Sequence, residues 1–211
     1  MERTPSSAAG GLNGRRISDI LATLPDRFPS SHTTVGALLE ALAGRAYGIL
    51  LLVLALPNLI PVPAPGLSAL LGLPLLWVTF QQVLGLETPW LPGGVARRRI
   101  KTSHLRSVCS RMVPAMRKLE YVMTPRLMLL TSPPAVRLIA LLCVILSLMI
   151  AMPIPFGNAF PALAICLFAI GILQRDGLFV LLGLTVALLS ATVIAAFLMG
   201  LLLSASAFFG L

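Results

Sequence analysis

PNLIPVPAPG, Pro57–Gly66, carries four prolines and one asparagine inside sequence that is otherwise apolar. Its flanks are leucine-, alanine- and valine-rich, and Ala46–Leu86 holds no Asp, Glu, Lys or Arg. A span needs roughly 20 apolar residues, so this run is long enough for one generous span or a tight pair of short ones. Two further charge-free runs follow, Leu138–Gln174 and Gly177–Leu211. Only 11% of the 211 residues are charged and 57% are hydrophobic, against about a quarter charged in an average soluble domain. These features predict an integral membrane protein.

A second proline-broken stretch, MPIPFGNAFP at Met152–Pro161, falls in register with the first. At an offset of 92, Arg45 meets Arg137, Pro61 meets Pro153, Pro63 meets Pro155, Gln82 meets Gln174 and Gly85 meets Gly177. Over 45–85 the match is 10 of 41 positions, five of them leucine. The unit is Arg, fifteen mostly apolar residues, Pro-x-Pro, and a return to Gln-x-x-Gly. It reads as an internal repeat, with chance similarity of two membrane hairpins as the alternative.

Fifteen helical residues reach about 23 Å, short of a roughly 30 Å hydrocarbon core. Pro-x-Pro then removes two backbone donors and blocks continuation of the helix. Non-helical backbone at membrane depth persists only under protein or water, so the breaks are expected to cover each other or to meet a partner chain. Asn58 and Asn158 lie close to them. Their amides either satisfy released backbone groups or, with loosened carbonyls, line a polar site as in discontinuous transporter helices. Returning helices are expected over Leu67–Leu84 and Ala159–Leu173. After the second, Arg175 and Asp176 form an interfacial anchor or ion pair, or bind an ion or headgroup; Gly177 is the natural C-terminal cap.

Charge placement sets the expected topology. Residues 86–136 hold nine Lys or Arg against Glu87 and Glu120, whereas 1–44 hold four Arg against four acids. Positive segments stay in the cytoplasm, so the linker is expected there and both hairpins insert in the same sense. An inverted relation would require this charged linker to cross once. Its basic residues are expected to meet anionic lipid headgroups rather than nucleic acid. Within it, Leu105–Met123 reads as an amphipathic helix kinked or split at Pro114. Upstream, Ile17–Leu24 and Thr33–Ala43 read as short amphipathic helices, and no cleavable signal is expected in the polar first 45 residues. Small residues at Gly183, Ser190, Ala191, Ala195, Ala196 and Gly200 suit close helix approach in a C-terminal helix, or in a pair broken near Gly200.

The expected organisation is therefore all-α: an N-terminal segment (1–44), hairpin one (45–85), a basic linker (86–136), hairpin two (137–177) and a C-terminal apolar stretch (178–211). His32 and His104 lie outside the apolar runs, and Cys109, Cys143 and Cys166 read as core residues. No metal-ligand spacing, P-loop, dinucleotide-binding glycine pattern or Gly-x-Ser-x-Gly is present in the sequence. An enzyme needs positioned acids, bases or nucleophiles; no catalytic residue or cofactor is expected. The candidate polar or break site comprises Asn58, Pro61, Pro63, Gln82, Pro153, Pro155, Asn158, Gln174, Arg175 and Asp176.

GLPLLWVTFQQVLGLETPWLP (72–92), GILQRDGLFVLLGL (171–184) and GRAYG (44–48) resemble the exopolysaccharide synthesis ExoD family. The resemblance rests on Gln82, Gly85, Pro89, Trp90, Leu91 and Pro92, and on Arg175, Asp176 and Gly177. It implies a multi-pass bacterial inner-membrane protein linked to exopolysaccharide production, directly through export or a lipid-linked intermediate, or indirectly through membrane or ion homeostasis. It carries no reaction with it. The expectation is a non-enzymatic helical protein supporting exopolysaccharide synthesis or export, dimeric, with membrane lipids and the exopolysaccharide machinery as partners. The alternative is a small transporter or ion carrier with its site between the two breaks.

Overall fold

The computed structural model describes residues 17–28, 30–59, 65–122, 127–152 and 157–209. In chain order its helices are α1 (Ile17–Thr23), α2 (Val35–Leu42), α3 (Ala46–Ala55), α4 (Pro65–Val83), α5 (Gly93–Ala96), α6 (Thr102–Val122), α7 (Pro133–Ala151), α8 (Ala159–Gln174) and α9 (Gly177–Phe209). Two short strands, β1 (His32–Thr34) and β2 (Arg99–Lys101), are also formed. The chain forms two compact units, 1–47 with 86–125, and 48–85 with 126–211. The polar N-terminal segment and the basic linker thus share one unit, a pairing across more than half the chain that local sequence pattern does not announce.

In the first unit α1 packs on α6, burying Ile20, Leu21 and Leu24 on one side. Glu120 of α6 holds the start of α1: its Oε1 accepts from the Ser18 amide at 2.9 Å and its Oε2 from the Ser18 hydroxyl at 2.6 Å. A carboxylate there satisfies an open helix donor and complements the positive end of the helix dipole. α2 starts at Val35 rather than Thr33 because Thr33 and Thr34 belong to β1. Thr34 Oγ1 accepts from the Ala37 amide at 3.3 Å, as an N-cap hydroxyl does. β1 and β2 pair antiparallel, His32 with Lys101, Thr33 with Ile100 and Thr34 with Arg99.

This short pair is a small addition to a fold that is otherwise helical, as expected. The β-branched residues Thr33, Thr34 and Ile100 suit an extended ladder, and their donors are satisfied across a sequence distance that periodicity cannot read. α6 runs through Pro114 without splitting, contrary to one of the two expected readings. Its buried line includes Cys109, while Arg111, Arg117, Lys118 and Tyr121 are exposed.

The second unit has α7 packed against α4 and α8, and α9 packed against α8. α4 and α7 run antiparallel. A Cβ added at Gly72 would meet Ala151 at 2.9 Å, and one at Gly85 would meet the Arg137 guanidinium at 2.9 Å. Thirteen residues forward on α4 therefore match fourteen back on α7. Opposing faces carry Leu75, Val78, Thr79 and Gln82 on α4, and Ile139, Ala140, Cys143, Leu146, Ser147 and Ile150 on α7, all buried. Small residues let backbones approach this closely. α8 is buried nearly all round, through Pro161, Ala162, Ala164, Ile165, Cys166, Phe168, Ala169, Gly171 and Leu173.

Outward faces of this unit are apolar. Leu73, Trp77, Phe80 and Leu84 are exposed around α4, Leu138, Leu141, Ile145 and Leu148 on α7, and Leu181, Leu188, Val193 and Phe197 on α9. By length and composition, Pro133–Ala151 and Gly177–Gly200 are each apolar and long enough to cross a membrane. α9 continues unbroken through Gly200; its 33 residues extend about 50 Å at 1.5 Å per residue. The first hairpin's leading helix is shorter than the fifteen residues expected: α3 ends at Ala55 and passes into a 3₁₀ turn, Leu56–Leu59.

Candidate functional site

The polar groups inside the second unit define the candidate site, because each is an exception within an apolar bundle. Two are closed on their own helix. Thr79 Oγ1 donates to the Leu76 carbonyl at 3.0 Å and Ser147 Oγ to the Cys143 carbonyl at 2.6 Å, the usual way a hydroxyl is tolerated in apolar surroundings. Asn58 is 6% exposed and sits in the 3₁₀ turn that ends α3. Its Nδ2 donates to the Leu54 carbonyl at 3.1 Å, capping a carbonyl that the broken helix leaves open, and this turn packs against α8. Pro61, Pro63, Pro153 and Pro155 lie outside the described residues, so the expected mutual cover of the two breaks does too. Asn158 precedes α8, and its carbonyl accepts from the Ala162 amide at 3.1 Å; its side chain makes no capping bond.

Gln82 and Gln174 differ from these. Gln82 is 7% exposed, and its buried Oε1 accepts no hydrogen bond among the described residues. The Nε2 of Gln174, its counterpart 92 residues on, is likewise buried without an acceptor. A buried polar group without a partner costs about 1–3 kcal/mol, which marks both amides as candidate contacts for a ligand's polar groups. The α4–α7 register puts Gln82 opposite Ala140 and near the same end of the helix pair as Arg137.

Helix α8 ends in a tight double bond. The Asp176 amide donates to the Gly171 carbonyl at 3.0 Å and the Arg175 amide to the Ile172 carbonyl at 3.4 Å. This is the Schellman arrangement, and its left-handed residue is Arg175, at φ 54°. The expectation that Gly177 caps this helix is therefore corrected: Gly177 opens α9. At the end of α4 the left-handed residue is Gly85, at φ 76°, so the two hairpins close two residues out of step with their sequence register. Asp176 is 2% exposed, and its Oδ1 accepts from the Leu178 amide at 3.0 Å, capping α9 at its positive end. Asp176→Leu is expected to lower stability by about 1–2 kcal/mol and Asp176→Asn by much less, read as unfolding midpoints in detergent. Equal losses would show that the cap is not what Asp176 contributes.

The first unit holds a shallow cleft of about 410 Å³ beside Asp26, Ser30, Ser31, Thr102 and Arg106. Its polar groups bond within the protein. Arg106 meets Asp26 at 3.2 Å, Thr102 Oγ1 donates to the Ser30 carbonyl at 2.6 Å, and Ser30 Oγ donates to the His32 carbonyl at 2.7 Å. Among the described residues no three His, Cys, Asp or Glu side chains group to hold a metal ion. The cysteines are free and buried, and burial pushes the Cys109 thiol above its ordinary value. Sequence reasoning singled out Gln82 and Gln174 but missed Arg137 as a neighbour of Gln82, and Glu120 as the support of α1. Both depend on pairings between distant segments.

Comparison with known proteins bears on this geometry directly. The family described as "Exopolysaccharide synthesis, ExoD" matches residues 17–196, which take in parts of both units and all of the candidate residues. Protein ExoD of Rhizobium meliloti is 31% identical over 174 residues, 81% of this chain and 72% of that protein. The uncharacterized protein slr1875 of Synechocystis sp. is 30% identical over 135 residues, 64% of this chain and 64% of its own length. No solved structure matches. The chain belongs to the exopolysaccharide synthesis ExoD family.

Proposed function

We propose that this chain is a multi-pass bacterial inner-membrane protein that supports exopolysaccharide synthesis or export without itself making or breaking bonds, and that it works as a homodimer beside the exopolysaccharide machinery. Its role in exopolysaccharide synthesis follows from the family. Membrane residence is supported by one observation above all, the inverted distribution of polarity in the second unit. Large apolar side chains face outward on α4, α7 and α9, while Thr79, Gln82, Ser147, Asp176 and Ser190 are buried. Contiguous apolar surface on this scale is foreign to a water-soluble monomer and suits a hydrocarbon solvent. The two hairpins are read as a repeat inserted in the same sense, with the basic 86–136 segment cytoplasmic. Antiparallel packing of α4 on α7 supports that sense, since the returning helix of the first hairpin and the leading helix of the second then run in opposite directions.

The decisive experiment combines fractionation with genetics. The chain should stay in the membrane pellet after alkaline carbonate extraction. Deleting its gene should lower exopolysaccharide, and Asp176→Asn should restore it as well as the natural chain does. Release into the supernatant ends the membrane reading. An unchanged polysaccharide yield ends the functional one, and failure of Asp176→Asn at normal protein level would point to chemistry at that carboxylate.

A transport role is the second reading, favoured by the buried Asn58 amide at the end of a shortened helix. It predicts solute or ion flux in liposomes that Asn58→Ala or Gln82→Ala abolishes without lowering protein level.

A further inference from the structure

We infer that the end of the α4–α7 seam is a binding site for a phosphate ester carrying a free hydroxyl, with Arg137 taking the phosphate and Gln82 Oε1 accepting from the hydroxyl. Three observations converge there. Gln82 Oε1 is buried on a residue 7% exposed and lacks a donor among the described residues. The Arg137 side chain is exposed, and its guanidinium lies over Gly85, 2.9 Å from where a Cβ would stand. Gly85, in the left-handed region at φ 76°, is the residue whose missing side chain leaves the guanidinium that position. Gly85 follows the end of α4, three residues after Gln82, and Arg137 and Ala140 are three apart on α7, so Gln82 and Arg137 lie near the same end of one seam.

The chemistry selects the occupant. A guanidinium only donates, and it forks onto phosphate oxygens. A carboxamide oxygen with no donor needs a hydroxyl or an ammonium. A single molecule that meets both needs carries an anion and a hydroxyl within a few bonds of each other. A glycerol phosphate does this, as does a sugar phosphate. The site stands at a helix end on the unit proposed to span the bilayer, where lipid phosphates are dense. The same chemistry is offered by the headgroup of phosphatidylglycerol and by a soluble polyol phosphate. Gln174, the counterpart of Gln82 at the end of α8, differs in that its unmet group is the donor Nε2.

This site goes beyond the proposed role in polysaccharide production and needs only the membrane placement. Its test therefore uses no polysaccharide readout, and a chain that fails carbonate extraction would fail that placement first. The full chain is placed in phosphatidylcholine nanodiscs, with and without phosphatidylglycerol, and its thermal midpoint is read. Detergent-solubilised protein is titrated with glycerol 1-phosphate. A rise with phosphatidylglycerol alone assigns the site to a lipid, and a rise with glycerol 1-phosphate assigns it to a soluble ester. In either case Arg137→Gln should weaken half-saturation about tenfold or more, and Gln82→Leu should weaken it severalfold. Arg27→Gln, exposed and outside the basic 86–136 segment, should leave it unchanged. Gln82→Leu fills the same space without an unmet acceptor, so its unliganded midpoint should match or exceed the natural chain and separate loss of binding from loss of fold. No rise with either probe overturns the site. So does a rise that survives Arg137→Gln, or one in which phosphatidic acid, lacking the hydroxyl, serves as well and Gln82→Leu changes nothing.

Discussion

Gly72→Leu is expected to abolish recovery of folded protein, while Gly200→Leu leaves it unchanged. The contrast comes from what each position faces. A Cβ at Gly72 would stand 2.9 Å from both the Cα and the amide nitrogen of Ala151, whereas nothing lies within 4 Å of one at Gly200. Backbone of a neighbouring helix cannot step aside as a side-chain tip can, so α4 and α7 must separate along their length. Separation opens the contacts of Leu75, Thr79, Cys143 and Ser147, which are buried by that approach. Overpacking in a tight core costs about 1–3 kcal/mol, and a leucine against backbone belongs at or above the top of that range. In lipid, packing supplies much of what holds helices together, so little compensates. Fluorescence-detected size exclusion of a tagged chain would show the loss as aggregated or absent protein, and Gly72→Ala as a lowered midpoint. A monodisperse Gly72→Leu protein with an unchanged midpoint would mean that α4 and α7 do not approach as described.

How far the sequence revealed this arrangement depends on whether a feature is local. Spacing alone puts Val35, Leu38, Leu39 and Leu42 on one face of α2; the three leucines are buried and Val35 is half-buried. It puts Ile17, Ile20, Leu21 and Leu24 on one helical face over Ile17–Leu24, and Ile20, Leu21 and Leu24 are buried. Helix content along the apolar runs was equally legible, because lengths and breakers are written in consecutive residues. The β1–β2 pair was not, since His32–Thr34 and Arg99–Lys101 are three residues each, too short for period two to register, and lie far apart in sequence. Neither was the grouping of 1–47 with 86–125, which rests on contacts such as Ser18 with Glu120, 102 residues apart.

The candidate site divides the same way. Gln82 and Gln174 stood out because a carboxamide in an apolar run is conspicuous and because the offset of 92 paired them. Arg137 stands out in the sequence only as the repeat partner of Arg45; the packing of α4 on α7 is what sets it over Gly85. The C-terminal cap of α8 misled for a different reason. Glycine is the favoured left-handed residue, and Gly177 was the nearest one, yet the chain turns at Arg175 and uses Gly177 to begin α9. A left-handed L-residue costs about 1–2 kcal/mol. Arg175 holds that conformation in a loop whose bonds to Gly171 and Ile172 fix it, so Arg175→Gly should stabilise the chain if the arginine's side chain has no structural partner.

Phe168 carries the other large expected effect. Its ring is fully buried in α8, and a Cβ at Gly183 of α9 would meet ring atoms at 2.7 and 2.8 Å. The ring therefore fills the space that the glycine vacates, and the pair sets how closely α8 and α9 approach. Phe→Ala in a water-soluble core costs about 3–5 kcal/mol, part transfer from water and part cavity. With lipid as the surroundings the transfer part shrinks and the packing part remains, leaving roughly 2 kcal/mol or more. Gly183→Leu should be at least as damaging, because a ring held on all sides cannot rotate away. Combined, the two changes oppose each other: Phe168→Ala opens the volume that a leucine at 183 needs. The double variant should unfold at a higher midpoint than Gly183→Leu alone, a coupling of about 1 kcal/mol or more between contacting residues. Additive losses in that cycle would mean that Phe168 and Gly183 do not touch, and the α8–α9 pairing would have to be redrawn.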